Sequence, residues 1–174
     1  MKNKKYLIPC VVSALFIVLL TSFFVMRLRP DGSTLESREQ QLSELSQLDG
    51  DVCISCETEI DGYIVSGYSS SNNKYGLAIF EPQGNGKYKF QTSITRENDE
   101  LIFMNTIIKQ KSYNLFWANK ADLDYAEITY TPSGMVGETV KLDAKDNVII
   151  YTEAPAKDFS VKYCFVDKNG NRYE

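Results

Sequence analysis

At 174 residues the chain has room for one domain and a membrane segment. It contains no histidine, which removes the usual general base, the Ser/His and Cys/His couples and most zinc sites. Residues 1–29 hold five basic residues and no acid, leaving 14 Lys/Arg against 23 Asp/Glu in the rest, a net of −9; a body so charged is repelled by nucleic acid and by anionic lipid heads, so neither is an expected partner for it.

The chain opens with a basic tail, residues 1–5, followed by a charge-free run of 21 residues from Tyr6 to Met26. As a helix this run is about 31 Å long at roughly 1.5 Å per residue, which matches a bilayer core of about 30 Å. It is expected to be a transmembrane anchor that contacts membrane lipid through residues 6–26. Lys2, Lys4, Lys5 and the α-amine flank it in front, against Arg27 and Arg29 behind. That bias predicts a cytoplasmic N-terminus and an extracytoplasmic remainder at the cell membrane. The alternative is a cleaved signal peptide and a secreted product. Cleavage needs a shorter apolar stretch with small residues after it, and Thr21 and Ser22 run instead into Phe23, Phe24, Val25 and Met26. Cys10 lies too early in the run, and directly after Pro9, to be a lipid-attachment cysteine, so it reads as a small apolar helix residue.

Residues 27–50 read as a stalk. Pro30, Asp31 and Gly32 break the anchor, and Ser33 with Glu36 forms a capping-box pattern. Leu35, Leu42, Leu45 and Leu48 then recur at helical spacing until Asp49 and Gly50 stop them, predicting a short amphipathic helix over 34–48. Its leucine stripe serves either for packing on the next domain or as a dimer seam.

From Asp51 the hydrophobic period changes to two. Strands are predicted at 52–58, 62–69, 75–81, 87–95, 100–108, 112–118, 125–131, 138–142, 147–153 and 159–166, separated by short Asn-, Gly- and Asp-rich turns. Short connections favour a sequential antiparallel meander closed as a sandwich or rolled sheet. The expected fold is therefore an all-β domain over 51–174, preceded by one transmembrane helix and a short amphipathic helix. One internal echo accompanies it: Tyr75, Leu77 and Ile79 recur as Tyr113, Leu115 and Trp117, and Phe90 as Ile128. The spacing is near that of a propeller blade, but two units are too few for a propeller, so the echo reads as two similar hairpins.

Several motifs invite chemistry. Cys53 and Cys56 have CxxC spacing, yet sit in a strand, where residues three apart point to opposite faces and the thiols do not meet. The expectation is buried or half-buried cysteines, with one disulfide from Cys164 to Cys53 or Cys56 as the alternative. Asp167 to Asn171 looks briefly like a calcium loop, but its glycine comes too early, and an Asn-Gly hairpin turn explains it as well. No metal or cofactor is expected. Glu81 with Asp99, or Asp122 with Asp124, are eligible as a glycosidase pair by type alone. The best binding patch is Trp117, Asn119, Lys120, Asp122, Asp124 and Tyr125, where aromatic area adjoins amide and carboxylate groups suited to sugars or peptides. The opposing reading puts Trp117 in the core, alternating with Leu115.

No motif singles out a family. The expected function is a non-enzymatic, single-pass membrane-anchored module binding a protein, peptide or glycan, or serving as an accessory protein. The alternatives are a carboxylate-based hydrolase and a structural subunit of a membrane complex.

Overall fold

The computed structural model describes residues 30–45, 48, 50–133, 136–154 and 159–174. The expected basic tail and anchor, residues 1–26, lie outside the described residues, and among the described residues no helix is long and apolar enough to cross a membrane. Residues Asp31–Glu174 form one compact unit.

All ten predicted strands form, within three residues at either end. They are β1 Val52–Ile60, β2 Tyr63–Ser70, β3 Lys74–Gly84, β4 Lys87–Glu97, β5 Leu101–Ile108, β6 Lys111–Ala118, β7 Leu123–Pro132, β8 Glu138–Asp143, β9 Ile150–Glu153 and β10 Phe159–Asp167. A two-residue β11, Arg172–Tyr173, closes the C-terminal hairpin. Tight turns join the pairs. Asp61-Gly62 has φ of 52 and 86, and Asn85-Gly86 has 53 and 70, the double positive φ that suits the right-handed twist of a hairpin. Lys109-Gln110 takes the same conformation, φ 47 and 71, with no glycine or asparagine to ease it.

The meander holds only for the first sheet, ordered β1-β2-β3-β4. The other two sheets interleave: β6 pairs β9 in the order β5-β6-β9, and β7 pairs β10 in the order β11-β10-β7-β8, all antiparallel. The three sheets stack. Val65, Leu77 and Ile79 of the first pack on Ile102, Leu115 and Trp117 of the second. Phe116 and Ala118 on the other face of the second pack on Ala126, Ile128 and Phe165 of the third. The middle sheet is thus covered on both sides, and every residue of β6 from Tyr113 to Ala118 is buried. The internal echo acquires a meaning here, since its two runs belong to facing strands that build one core.

The helix is α1, Leu35–Ser43. Its N-cap is Thr34, one residue later than the capping box predicts: Thr34 Oγ1 accepts from the Ser37 N–H at 3.2 Å. Ser33 instead donates to Asp31. After Ser43 the bonding tightens, Leu45 N–H to Leu42 C=O and Leu48 N–H to Leu45 C=O, which carries Leu48 toward the same core. Leu42 and Leu48 bury against Ile54, Tyr68, Ala78 and Phe80 on the outer face of the first sheet, each worth about 1.5–3 kcal/mol of apolar burial. Of the two uses for the leucine stripe, packing on the β domain is the one Leu42 and Leu48 serve, while Leu35 stays exposed.

Polar side chains fasten this helix to both edges of the sheet. Gln41 spans the β4 edge, its Nε2 donating to Tyr88 C=O at 3.0 Å and its Oε1 accepting from Phe90 N–H at 2.6 Å. On β1, Glu39 accepts from Ile54 N–H at 2.8 Å. Arg38 forms a fork on Glu57, Nε–Oε1 2.9 Å and Nη2–Oε2 2.6 Å, and gives its remaining Nη1 to Gly32 C=O.

Candidate functional site

One open cleft of about 420 Å³ lies where three connections meet, with Asn73, Tyr75, Asn98, Asp99, Glu100 and Lys120 in its wall. Asn73 ends the β2–β3 turn at φ 54, and Asn98 ends β4 at φ 56, a conformation that asparagine tolerates well. Asn98 N–H donates to Asn73 C=O at 2.8 Å and locks the two turns together. Asp99 accepts from Leu101 N–H at 3.0 Å and pairs with Arg96 at 3.2 Å. Lys120 reaches in from the β6–β7 connection, 2.7 Å from Glu100 and with its Nζ 4.7 Å above the Tyr173 ring. The Glu100 hydrogen bond is the main reason its ammonium is held above the ordinary lysine range. The cleft therefore offers a half-buried phenol, two turn asparagines and a fixed cation, on a frame of backbone hydrogen bonds.

The sequence-predicted patch is divided among several places. Lys120 lines the cleft, and Asn119 supports it by donating its N–H to Glu100 C=O at 2.9 Å. Trp117 is 0 % exposed; its indole N–H donates to Asn147 Oδ1 at 3.0 Å, so it is a core residue and contributes no surface. Asp122 is exposed in a turn and pairs with Lys168 at 3.3 Å. Asp124 pairs with Lys145 at 3.4 Å, and Tyr125 lies under Lys141 at 4.3 Å. These last three serve the third sheet and its turns. Asn73 and Tyr75 escape a sequence reading because they lie about 25 residues from Asn98 and Glu100 along the chain, and further still from Lys120; the asparagines signal turns and nothing more.

The other motifs resolve similarly. Cys53, Cys56 and Cys164 are free. Cys164 is in the third sheet and the other two in the first, with the middle sheet between them, so the alternative disulfide is not made; Cys56 and Cys164 are half-buried and buried as expected, but Cys53 is exposed. The opposite-face argument for Cys53 and Cys56 fails, because a β-bulge at Ile54/Cys56 adds a residue and sets them opposite Ser69 and Gly67, on one face. Cys56 turns toward Trp117, and burial pushes its thiol up to about 11. Among the described residues no three metal-ligating side chains converge. Asp167 collects the C-terminal turn: its Oδ1 accepts from Asn169 and Asn171 N–H and its Oδ2 from Tyr173 O–H. The acids eligible as pairs each have partners of their own. Glu81 accepts from Tyr63 near the far end of β3, six residues and about 20 Å of strand from Tyr75 in the cleft wall. Asp122 and Asp124 are engaged by separate lysines.

No family model matches this chain, and neither a curated protein nor a solved structure matches it.

Proposed function

We propose that the chain is a non-enzymatic module, held in a membrane by residues 6–26 with its N-terminus cytoplasmic, that displays the β body outside and binds a segment of another protein at the Tyr75–Lys120 cleft. The charge-free run supports the tether. The cleft carries the binding reading. It is polar and open, with its hydrogen-bonding groups fixed in advance, whereas small-molecule pockets are enclosed and mostly apolar. Catalysis is disfavoured because its carboxylates are committed, Asp99 to Arg96 and Leu101 N–H, Glu100 to Lys120.

The test uses the full chain in membranes with a photo-crosslinking residue replacing Asn98. One discrete protein adduct is expected, lost in Lys120→Glu and in Tyr75→Ala at unchanged chain levels. An adduct indifferent to both substitutions overturns the cleft, and recovery of the intact chain in the soluble fraction overturns the tether.

A further inference from the structure

Resting on that reading, the structure assigns a mode of recognition: we propose that the open edge of β10 takes up an extended partner peptide as an added strand, with an acidic residue set against Lys162. β10 pairs with β7 along its whole length, from Phe159↔Pro132 to Asp167↔Leu123. On its other side β11 covers only Phe165 and Val166. Among the described residues the edge from Phe159 to Cys164 has no strand beside it, about 20 Å of backbone at roughly 3.3 Å per residue.

The register says which groups are open. Asp167 N–H donates to Asn171 C=O at 3.0 Å across the hairpin, so Asp167 faces β11. Antiparallel pairing alternates, so Phe165, Tyr163, Val161 and Phe159 turn the same way, while Cys164, Lys162 and Ser160 turn toward β7. The N–H and C=O groups of Phe159, Val161 and Tyr163 therefore point outward, a template for strand addition. A groove of about 520 Å³ crosses the sheet beside this edge, from Glu127 and Thr129 of β7 over Lys162 and Cys164 of β10 to Arg172 and Glu174. Val161 and Tyr163, whose side chains pack on the core side, also border it, so the groove reaches the β10 backbone whose outward groups are open. Arg172 of β11 closes one end, so an incoming strand would continue the line that β11 begins.

Charge selects the occupant. Arg172 and Lys141 are both engaged by Glu127, at 2.8 and 3.2 Å. Lys162, exposed on the same face, forms no ion pair with any described residue. On the core side the open residues present Phe159, Val161 and Tyr163, which stack toward Tyr130, Phe103 and Phe116. The fitting ligand is an extended segment alternating acidic and apolar residues. The rim adjoins the cleft: Lys120 lies over the Tyr173 ring of β11, and the Tyr163 phenol feels the charges of Arg96 and Asp99.

The probe is a synthetic heptapeptide alternating valine and glutamate, compared with its lysine-for-glutamate counterpart, titrated into the isotope-labelled full chain in detergent micelles. Saturable amide shifts are expected at Phe159, Val161 and Tyr163, with binding about tenfold tighter for the acidic peptide. In the free chain the amides of Val161 and Tyr163 exchange quickly and slow on binding, while those of Lys162 and Cys164 are slow in both states. Lys162→Glu, a surface change, reverses the peptide preference, and Val161→Pro, which removes an outward donor, abolishes binding. Equal affinity for both peptides, no response along β10, or outward amides already protected in the free chain (an edge covered by this chain or by a second copy) each overturn the proposal. Loss of the Asn98 cross-link alongside an intact β10 response would instead overturn the cleft and leave strand addition standing.

Discussion

A β-carbon on Gly67 would fall 2.6 Å from Cε2 of the Trp117 indole, so the first and middle sheets meet at a point where only glycine fits. Gly67→Ala forces the ring or the strand to move, an overpacking cost of about 1–3 kcal/mol. Because Trp117 is the only tryptophan in the chain, its fluorescence reports the change directly. A lower urea midpoint with red-shifted native emission is expected; an unchanged midpoint contradicts the packing.

The Arg38–Glu57 fork has side chains 8 % and 22 % exposed, and Ser66 Oγ donates to the same carboxylate at 2.6 Å. Arg38→Ala leaves Glu57 short of its main partner and is expected to cost about 2–3 kcal/mol, with little dependence on salt. Replacing both residues by methionine and leucine should recover most of that loss. A double-mutant cycle in urea measures it, and a coupling near zero would demote the fork to a surface contact.

Gln110 occupies a left-handed position at φ 71. Gln110→Gly relieves that strain and is expected to raise stability by about 0.5–1 kcal/mol, contrary to the usual effect of glycine. Thermal denaturation of the single variant decides it.

Tyr113 donates to Asp61 Oδ2 at 2.8 Å, and that hydrogen bond is the main reason its phenol is pushed up to about 12 from 10.0. Since the folded value lies above the unfolded one, the contribution is fully present below pH 10.0 and is lost as pH rises through about 12. Alkaline titration of phenolate absorbance should show a late-ionising group that disappears in Tyr113→Phe and moves earlier in Asp61→Asn.

The cysteines differ in access, Cys53 being exposed, Cys56 half-buried with a raised thiol and Cys164 buried. Iodoacetamide labelling followed by peptide mapping should modify Cys53 first, with Cys56 and Cys164 reacting mainly after denaturation. Comparable rates at Cys53 and Cys164 would place the outer face of the third sheet differently.

Sequence alone established the local structure. Alternating side chains and turn residues are properties of a few neighbouring positions, so the strands could be read to within a turn, and the partition of charge needed no fold at all. What lies over the second face of a strand is not a local property. The run from Tyr113 to Ala118 is buried on both sides, Asn114 included, because two sheets cover it, and only the stack decides that Trp117 faces Gly67 and Asn147, not a ligand. The same holds for Arg38 and Gln41, which look like solvent-facing helix residues until the sheet edge supplies their partners. One inserted residue at the β1 bulge reverses the facing of Cys56 relative to Cys53, a shift that alternation cannot show. The cleft is the furthest removed from the sequence, since Asn73 and Asn98 meet only through the β3–β4 pairing and Lys120 joins them from a third connection.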